Sequence, residues 1–239
     1  MPAYDRDMGG RAQLAGDSNL AAVGALLAEP ARAKVLLALV DGRALAASVL
    51  AAEAGVAAST ASHHLARLVE AGLISAVPRG RHRYFTLAGP HVAELIEAVA
   101  RIAPPQPITS LRQGTRGYAV RYARSCYDHL AGRLGVAVAD ALQEQGLLIA
   151  GNGSAGYTVS EDGASSFAEL GIEARSGDVA RGCLDWSEQR NHIAGALGRS
   201  VMTRLIELEW LVRDSRTRAL RLTHAGQTNL PLQLGVQLP

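Results

Sequence analysis

The fold is decided by the stretch AASTASHHLARLVEAG, which spans residues 57–72. Its apolar residues recur at helical spacing and line one face, at Ala61, Leu65, Leu68 and Val69. Ser59 or Thr60 is placed to cap the first turn, and Gly72 suits the left-handed conformation that ends many helices. The stretch is therefore predicted to form an amphipathic helix with one buried face and one polar face.

A second helix is predicted before this one and a hairpin after it. Leu45–Ala54 is apolar at helical spacing and ends at Gly55-Val56, which signals a turn between two helices. Two strands are predicted at Leu73–Val77 and His82–Leu87, joined by the tip Pro78-Arg79-Gly80-Arg81. This order predicts a winged helix-turn-helix, in a fold class that is mainly α with small β-hairpins.

The polar face of the 57–72 helix and the basic hairpin are predicted to contact double-stranded DNA. A polar-faced helix fits the major groove, and a cationic hairpin beside it suits phosphate groups or the minor groove. The alternative is a solvated turn, but an ordinary hairpin tip has no need for three arginines and a histidine within five residues. The predicted DNA-binding residues are Ser59, Thr60, Ser62, His63 and Arg67 on the helix, and Arg79, Arg81, His82 and Arg83 on the hairpin.

The segment Arg43–Gly89 resembles the DNA-binding region of ArsR-type bacterial transcriptional repressors, in its STASHHL helix start at residues 59–65 and its EAGLI exit at 70–74. The likeness extends over about residues 19–103. It implies a homodimer that occupies an operator and leaves it when an effector binds. By position, the helices near Leu20–Ala28 and at Pro90–Ile102 match the dimerisation helices of that family. The latter carries an apolar stripe of Val92, Leu95, Ile96 and Val99.

The chain departs from the family at two metal sites. Many ArsR-type metal sensors carry a cysteine pair in the helix before the turn, but Ala46–Ala54 contains no cysteine. Others place carboxylate and imidazole ligands on the last dimerisation helix. Here that helix has only His91, Glu94 and Glu97, without the spacing such a site uses. No metal is therefore expected at the usual positions, no cofactor is required, and the effector stays open.

Length, charge and composition limit the remaining possibilities. The 239 residues suffice for one large domain or two small ones, and the net charge is only +2. Positive charge is local: residues 43–89 hold five arginines against two glutamates, as expected of a DNA-binding segment. No apolar run is long enough to span a membrane, and Met1–Gly16 lacks the apolar core of a signal peptide. The two cysteines are too few for a disulfide scaffold and fit a reducing compartment. A cytoplasmic protein is predicted.

Proline divides the chain. The segment Ala103-Pro104-Pro105-Gln106-Pro107 is stiff, and no helix is expected to cross it. The predicted organisation is a flexible arm over residues 1–16, a DNA-binding and dimerisation domain over 17–103, a linker over 104–115 and an effector domain over 116–239.

The effector domain is predicted to be a duplicated, winged-helix-like unit. Each copy of a recurring pattern has a helix exit, two strands, a Ser or Thr cap and a glycine. Its ends are 17 residues apart each time, at Gly72 and Gly89, Gly146 and Gly163, and Glu209 and Gly226. The later copies are preceded by HLAGRLG at residues 129–135 and HIAGALG at 192–198. The third hairpin has four arginines, at 213, 216, 218 and 221, and is interpreted as solvated or as a phosphate contact.

Cysteine and histidine recur in the two later copies, and their chemistry allows several interpretations. Cys126 and His129 are three residues apart, which predicts a shared helical face. With Cys183, Trp186 and His192 they are candidate contacts of an effector pocket. Both pairs could instead be core residues, beside tethers from Arg124 to Asp128 and from Arg181 to Asp185.

Two chemical alternatives remain for the same residues. Cys126, His129, Cys183 and His192 could bind a soft metal such as zinc, cadmium or lead, or the thiols could sense oxidants. A thiol-dependent enzyme domain is the third class. The sequence contains no glycine-rich phosphate loop, nucleophile elbow or paired-histidine zinc motif, so no enzymatic activity is expected.

Overall fold

The computed structural model describes residues 17–80, 82–104, 106–151 and 156–239, so the predicted N-terminal arm over 1–16 lies outside the described residues. The first half contains five helices and a three-stranded antiparallel sheet of order β1-β3-β2. Its elements are α1 (Leu20–Leu27), α2 (Pro30–Leu39), β1 (Leu45–Ala46), α3 (Ala47–Ala54), α4 (Ala58–Glu70), β2 (Ile74–Arg79), β3 (His82–Leu87) and α5 (Pro90–Ile102).

Helix α4 has the two faces that its sequence predicts. Ala61, Leu65 and Leu68 are buried, and the two leucines belong to a core shared with α2, α3, β3 and α5. Gly55 ends α3 with a φ of 73°, which allows the sharp turn into α4. The predicted cap by Ser59 or Thr60 is wrong: the helix starts at Ala58, so both hydroxyls fall within its first turn, and Ala57 at the N-cap makes no side-chain bond.

The wing differs in detail from its prediction. Strands β2 and β3 pair from Ile74↔Leu87 to Arg79↔His82, so β2 reaches two residues further toward the tip than predicted, whereas β3 has its predicted bounds. Leu45 and Ala46 were expected at the start of a helix. They form a short strand instead, because they pair with Phe85 and Tyr84 at the edge of the sheet.

In the part of the second half that the structure describes, five helices combine with three small antiparallel sheets. The sheets are β4-β5, β10-β11 and the four-stranded β6-β7-β8-β9. Its elements are α6 (Leu111–Tyr122), β4 (Arg124–Cys126), β5 (His129–Ala131), α7 (Arg133–Glu144), β6 (Leu148–Ala150), β7 (Gly156–Val159), α8 (Glu161–Glu169), β8 (Val179–Leu184), β9 (Asn191–Ala194), α9 (Gly195–Glu207), β10 (Leu211–Arg213), β11 (Leu220–Leu222) and α10 (His224–Leu234). No helix among the described residues is long and apolar enough to cross a membrane.

The 17-residue spacing ends at the same kind of capped helix start twice in the second half, at α8 and at α10. Ser160 caps α8 by accepting a hydrogen bond of 2.9 Å from the Gly163 amide, and Thr223 caps α10 through the Gly226 amide at 3.0 Å. A Cβ at Gly163 would overlap the carbonyl oxygen of Leu147, and one at Gly226 would overlap that of Trp210. Only glycine therefore lets each capped helix pack this closely on the preceding strand.

Contacts join the two halves directly. Helix α6 begins at Leu111, inside the stretch expected to be linker, because Ser110 accepts a hydrogen bond from the Gln113 amide and caps it. The Tyr127 amide donates to the carbonyl of Val40 at 2.9 Å, and the Tyr127 side chain packs on the core of the first half. Two ion-pairing arginines of the second half, described below, reach Glu97 on α5.

Candidate DNA interface and cysteine-histidine cluster

The polar face of α4 is solvent-exposed. Ser59, Thr60, Ser62, His63 and Arg67 are all exposed, on the face opposite the buried Ala61, Leu65 and Leu68. The hydroxyl of Ser62 donates to the Ala58 carbonyl at 2.9 Å, so it is held against its own helix. The structure thus places the five predicted helix residues together on one accessible surface.

The wing lies next in sequence and presents cationic side chains. Arg79, His82 and Arg83 are exposed, whereas Arg81 lies outside the described residues. The guanidinium of Arg79 lies 5.5 Å from the centre of the Tyr84 ring, and that of Arg83 lies 5.6 Å from the Phe85 ring. These contacts hold the arginine side chains along the strands, with their charge still exposed.

The third hairpin differs from the wing in its charge pairing. Arg218, after the tip, is mostly buried, and its guanidinium donates to a Glu97 carboxylate oxygen at 2.7 Å. Asp214 accepts hydrogen bonds from the backbone amides of Arg216 and Thr217 and closes the tip. One of the four arginines is therefore used in an internal ion pair.

Two hairpins of the second half bring Cys126, His129, Cys183 and His192 together. Their ligand atoms all lie within 4.8 Å of one another. Cys126 pairs across a hairpin with His129, and Cys183 pairs with His192 in the same way. The prediction of a shared helical face for Cys126 and His129 is therefore wrong, because a tight turn and not a helical turn separates them.

Burial and access differ within this cysteine-histidine cluster. Cys126, His129 and His192 are buried, and Cys183 is partly exposed; both thiols are free. Trp186 lies beside the cluster without contributing a ligand atom to it, and its ring is 4.8 Å from the guanidinium of both Arg121 and Arg124. Four of the five predicted pocket residues thus converge on one point.

The two imidazoles of the cluster face each other. The Nε2 atoms of His129 and His192 are 3.2 Å apart. On the far side of each ring, Nδ1 of His129 is 3.1 Å from an Asp128 carboxylate oxygen, and Nδ1 of His192 is 3.1 Å from one of Asp185. The His192–Asp185 contact is close in distance but not aligned as a hydrogen bond. A carboxylate therefore lies behind each ring, and the one behind His129 is hydrogen-bonded to it.

Asp185 is fully buried and accepts bonds from several donors. One oxygen lies 2.9 Å from Arg124 Nη2 and accepts from Ser187, and the other accepts from the Gly132 amide at 2.7 Å. Neither predicted arginine–aspartate tether forms. Because the two hairpins pack against each other, Arg124 pairs with Asp185 and Arg199 pairs with Asp128, whereas Arg181 pairs with Glu94 on α5.

The electrostatics of the cluster follow from these contacts. The neighbouring Cys183 sulfur, together with burial, raises the pKa of Cys126. The Cys126 thiol lowers the pKa of Cys183; burial opposes this effect, but contacts with His129 and His192 lower the pKa further. Burial opposes ionisation of Asp185, but His192 and the Arg124 guanidinium outweigh it and hold the pKa of Asp185 well below its usual range. Burial also lowers the pKa of His192, but Asp185 and Cys183 outweigh this effect and raise it. The surroundings therefore favour a thiolate at Cys183.

The space next to the cluster is small and apolar. A gap of about 10 Å³, roughly the space that one water molecule needs, is lined by Leu130, Gly135, Val138, Ile193, Gly198 and Val201. Sites for organic ligands usually measure about 300–1,000 Å³ and contain a few polar groups.

The sequence did not predict the roles of Asp128 and Asp185 behind the imidazoles. The recurrence of an aspartate near each Cys-His pair was the available signal.

Comparison with known proteins identifies relatives of the whole chain and of its first half. A family model described as a helix-turn-helix domain matches residues 27–76. The HTH-type transcriptional regulator YdfF of Bacillus subtilis is 42% identical over 225 residues, covering 92% of this chain and 99% of YdfF. The HTH-type transcriptional regulator CmtR of Mycobacterium bovis is 37% identical over 100 residues, which covers 40% of this chain and 84% of CmtR.

Solved structures that resemble this chain match only part of it. One is the homodimeric winged helix-turn-helix DNA-binding domain of Mb0332 from Mycobacterium bovis, described as a possible ArsR-family transcriptional regulator. It is 32% identical with a TM-score of 0.33, and the match covers 37% of this chain and 89% of that one.

Proposed function

The chain belongs to the HTH-type transcriptional regulators and is a DNA-binding protein, and on this basis we propose that it is a homodimeric repressor whose operator is released when an effector binds. The observation that carries this proposal is the polar face of α4, exposed beside a basic wing. In this role α4 enters the major groove and reads base edges, while the wing contacts phosphates. The protein then acts in the cytoplasm, where its operator is, and catalyses no reaction.

Helices α1 and α5 support the proposed dimer. Val92 and Ile96 of the α5 stripe pack into the core of the first half, but Val99 and Ile102 are exposed. Leu20 at the start of α1 is 78% exposed, and Ile102 is 85% exposed. Apolar side chains at these positions favour a second copy as their partner. A two-fold axis would set the two α4 helices roughly 34–36 Å apart and make the operator palindromic.

The DNA interface is tested by selecting operators from a random DNA pool with the full chain, then measuring affinity for the selected sequence. We expect His63→Ala and Arg67→Ala each to cost about 1–3 kcal/mol of binding or to relax base preference. His224→Ala and Arg175→Ala are matched controls, because both residues are exposed and lie in the second half. Unchanged affinity and base preference in both α4 variants would refute the assignment.

The dimer is tested separately by sedimentation. Ile102→Glu places a charge on the exposed end of α5 and is expected to shift the protein toward monomer and weaken operator binding. A matched charge at Leu232, which is 77% exposed on α10, should leave the sedimentation unchanged. A wild-type monomer at micromolar concentration, with and without DNA, would contradict the dimer.

A further inference from the structure

We propose that Cys126, His129, Cys183 and His192 bind a divalent cation of the zinc class, and that this ion is the effector that lowers affinity for the operator. The second clause rests on the proposed repressor function; the first does not. The cluster is a different site from the two family positions, because it is built between two hairpins of the second half.

The spacing of the ligand atoms fits a tetrahedral ion. Zinc binds imidazole nitrogen at about 2.0–2.1 Å and thiolate sulfur at about 2.3 Å, so a regular tetrahedron places two nitrogens about 3.3 Å apart and two sulfurs about 3.8 Å apart. The two Nε2 atoms of His129 and His192 are 3.2 Å apart, and all four ligand atoms lie within 4.8 Å. Ligand atoms within 4.8 Å of one another need to approach by only about an ångström to complete the coordination shell.

The facing imidazoles give an independent reason for a cation. Nδ1 of each ring lies 3.1 Å from a carboxylate oxygen, and a proton on each Nδ1 leaves a lone pair on each Nε2. Two lone pairs at 3.2 Å repel each other unless a proton or a metal ion lies between them. Asp128 and Asp185 occupy the positions behind His129 and His192 that outer carboxylates have in zinc sites.

The donor set also selects among the alternatives. Two sulfurs and two imidazole nitrogens suit zinc or cadmium and disfavour magnesium or calcium, which prefer oxygen. A Cys126–Cys183 disulfide would use the two sulfurs but not the paired imidazoles. The apolar gap beside the imidazoles, about 10 Å³, is too small for an organic effector. A metal ion is the ligand that uses all four side chains.

A chain of ion pairs connects the cluster to α5. Asp185, which contacts His192, also binds Arg124, whose guanidinium lies 3.9 Å from a carboxylate oxygen of Glu97. Glu97 is on α5, the helix assigned to the dimer, and Arg218 binds it at 2.7 Å. The residue after Cys126 makes a second contact with the first half. The Tyr127 amide donates a hydrogen bond to the Val40 carbonyl at the end of α2. Drawing the two hairpins onto an ion would therefore shift groups that contact both helices.

Metal binding is tested on the reduced full chain without DNA. Cobalt(II) is expected to bind one ion per chain and give the visible bands of a four-coordinate thiolate complex, which zinc then displaces. Cys126→Ser and Cys183→Ser should abolish these bands, while His224→Ala, a histidine outside the cluster, should keep them. Asp128→Asn is predicted to retain the bands and lower zinc affinity about 10–100-fold, as expected of a residue that positions a ligand.

Regulation is tested by measuring operator affinity with and without zinc. We expect zinc to weaken operator binding about 5–150-fold, and operator DNA to weaken zinc binding by the same factor, since coupling is reciprocal. Zinc binding with unchanged operator affinity would overturn the effector assignment.

The remaining outcomes separate the two proposals. Intact operator binding by a reduced chain that binds neither cobalt nor zinc would refute the metal site and leave the repressor function standing. Zinc binding by a chain that binds no operator would refute the repressor function and leave the metal site standing. Release of DNA by peroxide through a Cys126–Cys183 disulfide, with no response to metal, would assign the cluster to thiol redox sensing and overturn the proposal.

Discussion

Arg124 is the most informative position for testing how the second half is held together. Its side chain is fully buried, and its guanidinium bonds Asp185 at 2.9 Å and Ser187 at 3.2 Å. The Glu97 carboxylate is 3.9 Å away, and the Trp186 ring is 4.8 Å away. Arg124→Met keeps much of the side-chain volume but removes the positive charge, so the buried Asp185 carboxylate loses its cation.

The expected cost follows from burial. Breaking a fully buried ion pair by removing one partner usually costs about 3–5 kcal/mol, because the remaining charge stays desolvated. A chain of this length loses about 2–4 °C in Tm per kcal/mol, so Arg124→Met should lower Tm by about 6–20 °C. Urea unfolding followed by circular dichroism measures the same difference in free energy.

Arg199→Met is the matched control. Arg199 also binds an aspartate, at 2.7 Å from Asp128, but 61% of its side chain is exposed. Exposed pairs contribute only about 0–1 kcal/mol, so this variant should unfold close to the wild type. Equal unfolding midpoints for Arg124→Met and Arg199→Met would show that the buried pair does not stabilise the fold, and would refute the reasoning.

Three further predictions concern packing, DNA and coupling. Gly163→Ala and Gly226→Ala should each destabilise by about 1–3 kcal/mol through overlap with a carbonyl oxygen, whereas Gly117→Ala, which meets nothing within 4 Å on α6, should be neutral or stabilising in the same unfolding assay. Replacing Arg79 and Arg83 by glutamine should flatten the salt dependence of operator binding by roughly 0.9 per lost phosphate contact; an unchanged slope would place the wing away from DNA. Glu97→Gln should keep the cobalt spectrum but reduce the effect of zinc on operator affinity, because it weakens the contact with Arg124 and Arg218. An undiminished zinc effect would exclude coupling through these ion pairs.

The first half could be predicted because its determinants are local. The alternation of apolar and polar residues fixed which face of α4 is buried, and Gly55 and Gly72 marked the ends of helices. The errors there are shifts of one or two residues. Leu45 and Ala46 became a strand because β3 offers an open edge, which is a tertiary effect that helical periodicity does not report.

The geometry of the cysteine-histidine cluster could not be predicted in the same way. A spacing of three residues fits both a helical face and a two-residue hairpin, and the tip Tyr127-Asp128 has no glycine to signal the turn, although Tyr127 takes a φ of 57°. The spacing of the second pair does indicate a hairpin. Cys183 and His192 are nine residues apart, which no single helical face accommodates. They lie directly opposite each other across a hairpin, as Cys126 and His129 do.

The proposed four-ligand site is assembled from two hairpins, β4-β5 and β8-β9. Each hairpin supplies one thiol and one imidazole, which is too few to hold a tetrahedral ion. Small residues allow the two units to approach: a Cβ at Gly198 on α9 would lie 3.2 Å from the Cβ of His129, and one at Gly135 on α7 would lie 3.6 Å from that of His192. Each helix thus packs against the other unit's hairpin. A site divided in this way binds metal only when both hairpins are in place, so its occupancy depends on the arrangement that also positions Arg124 against α5.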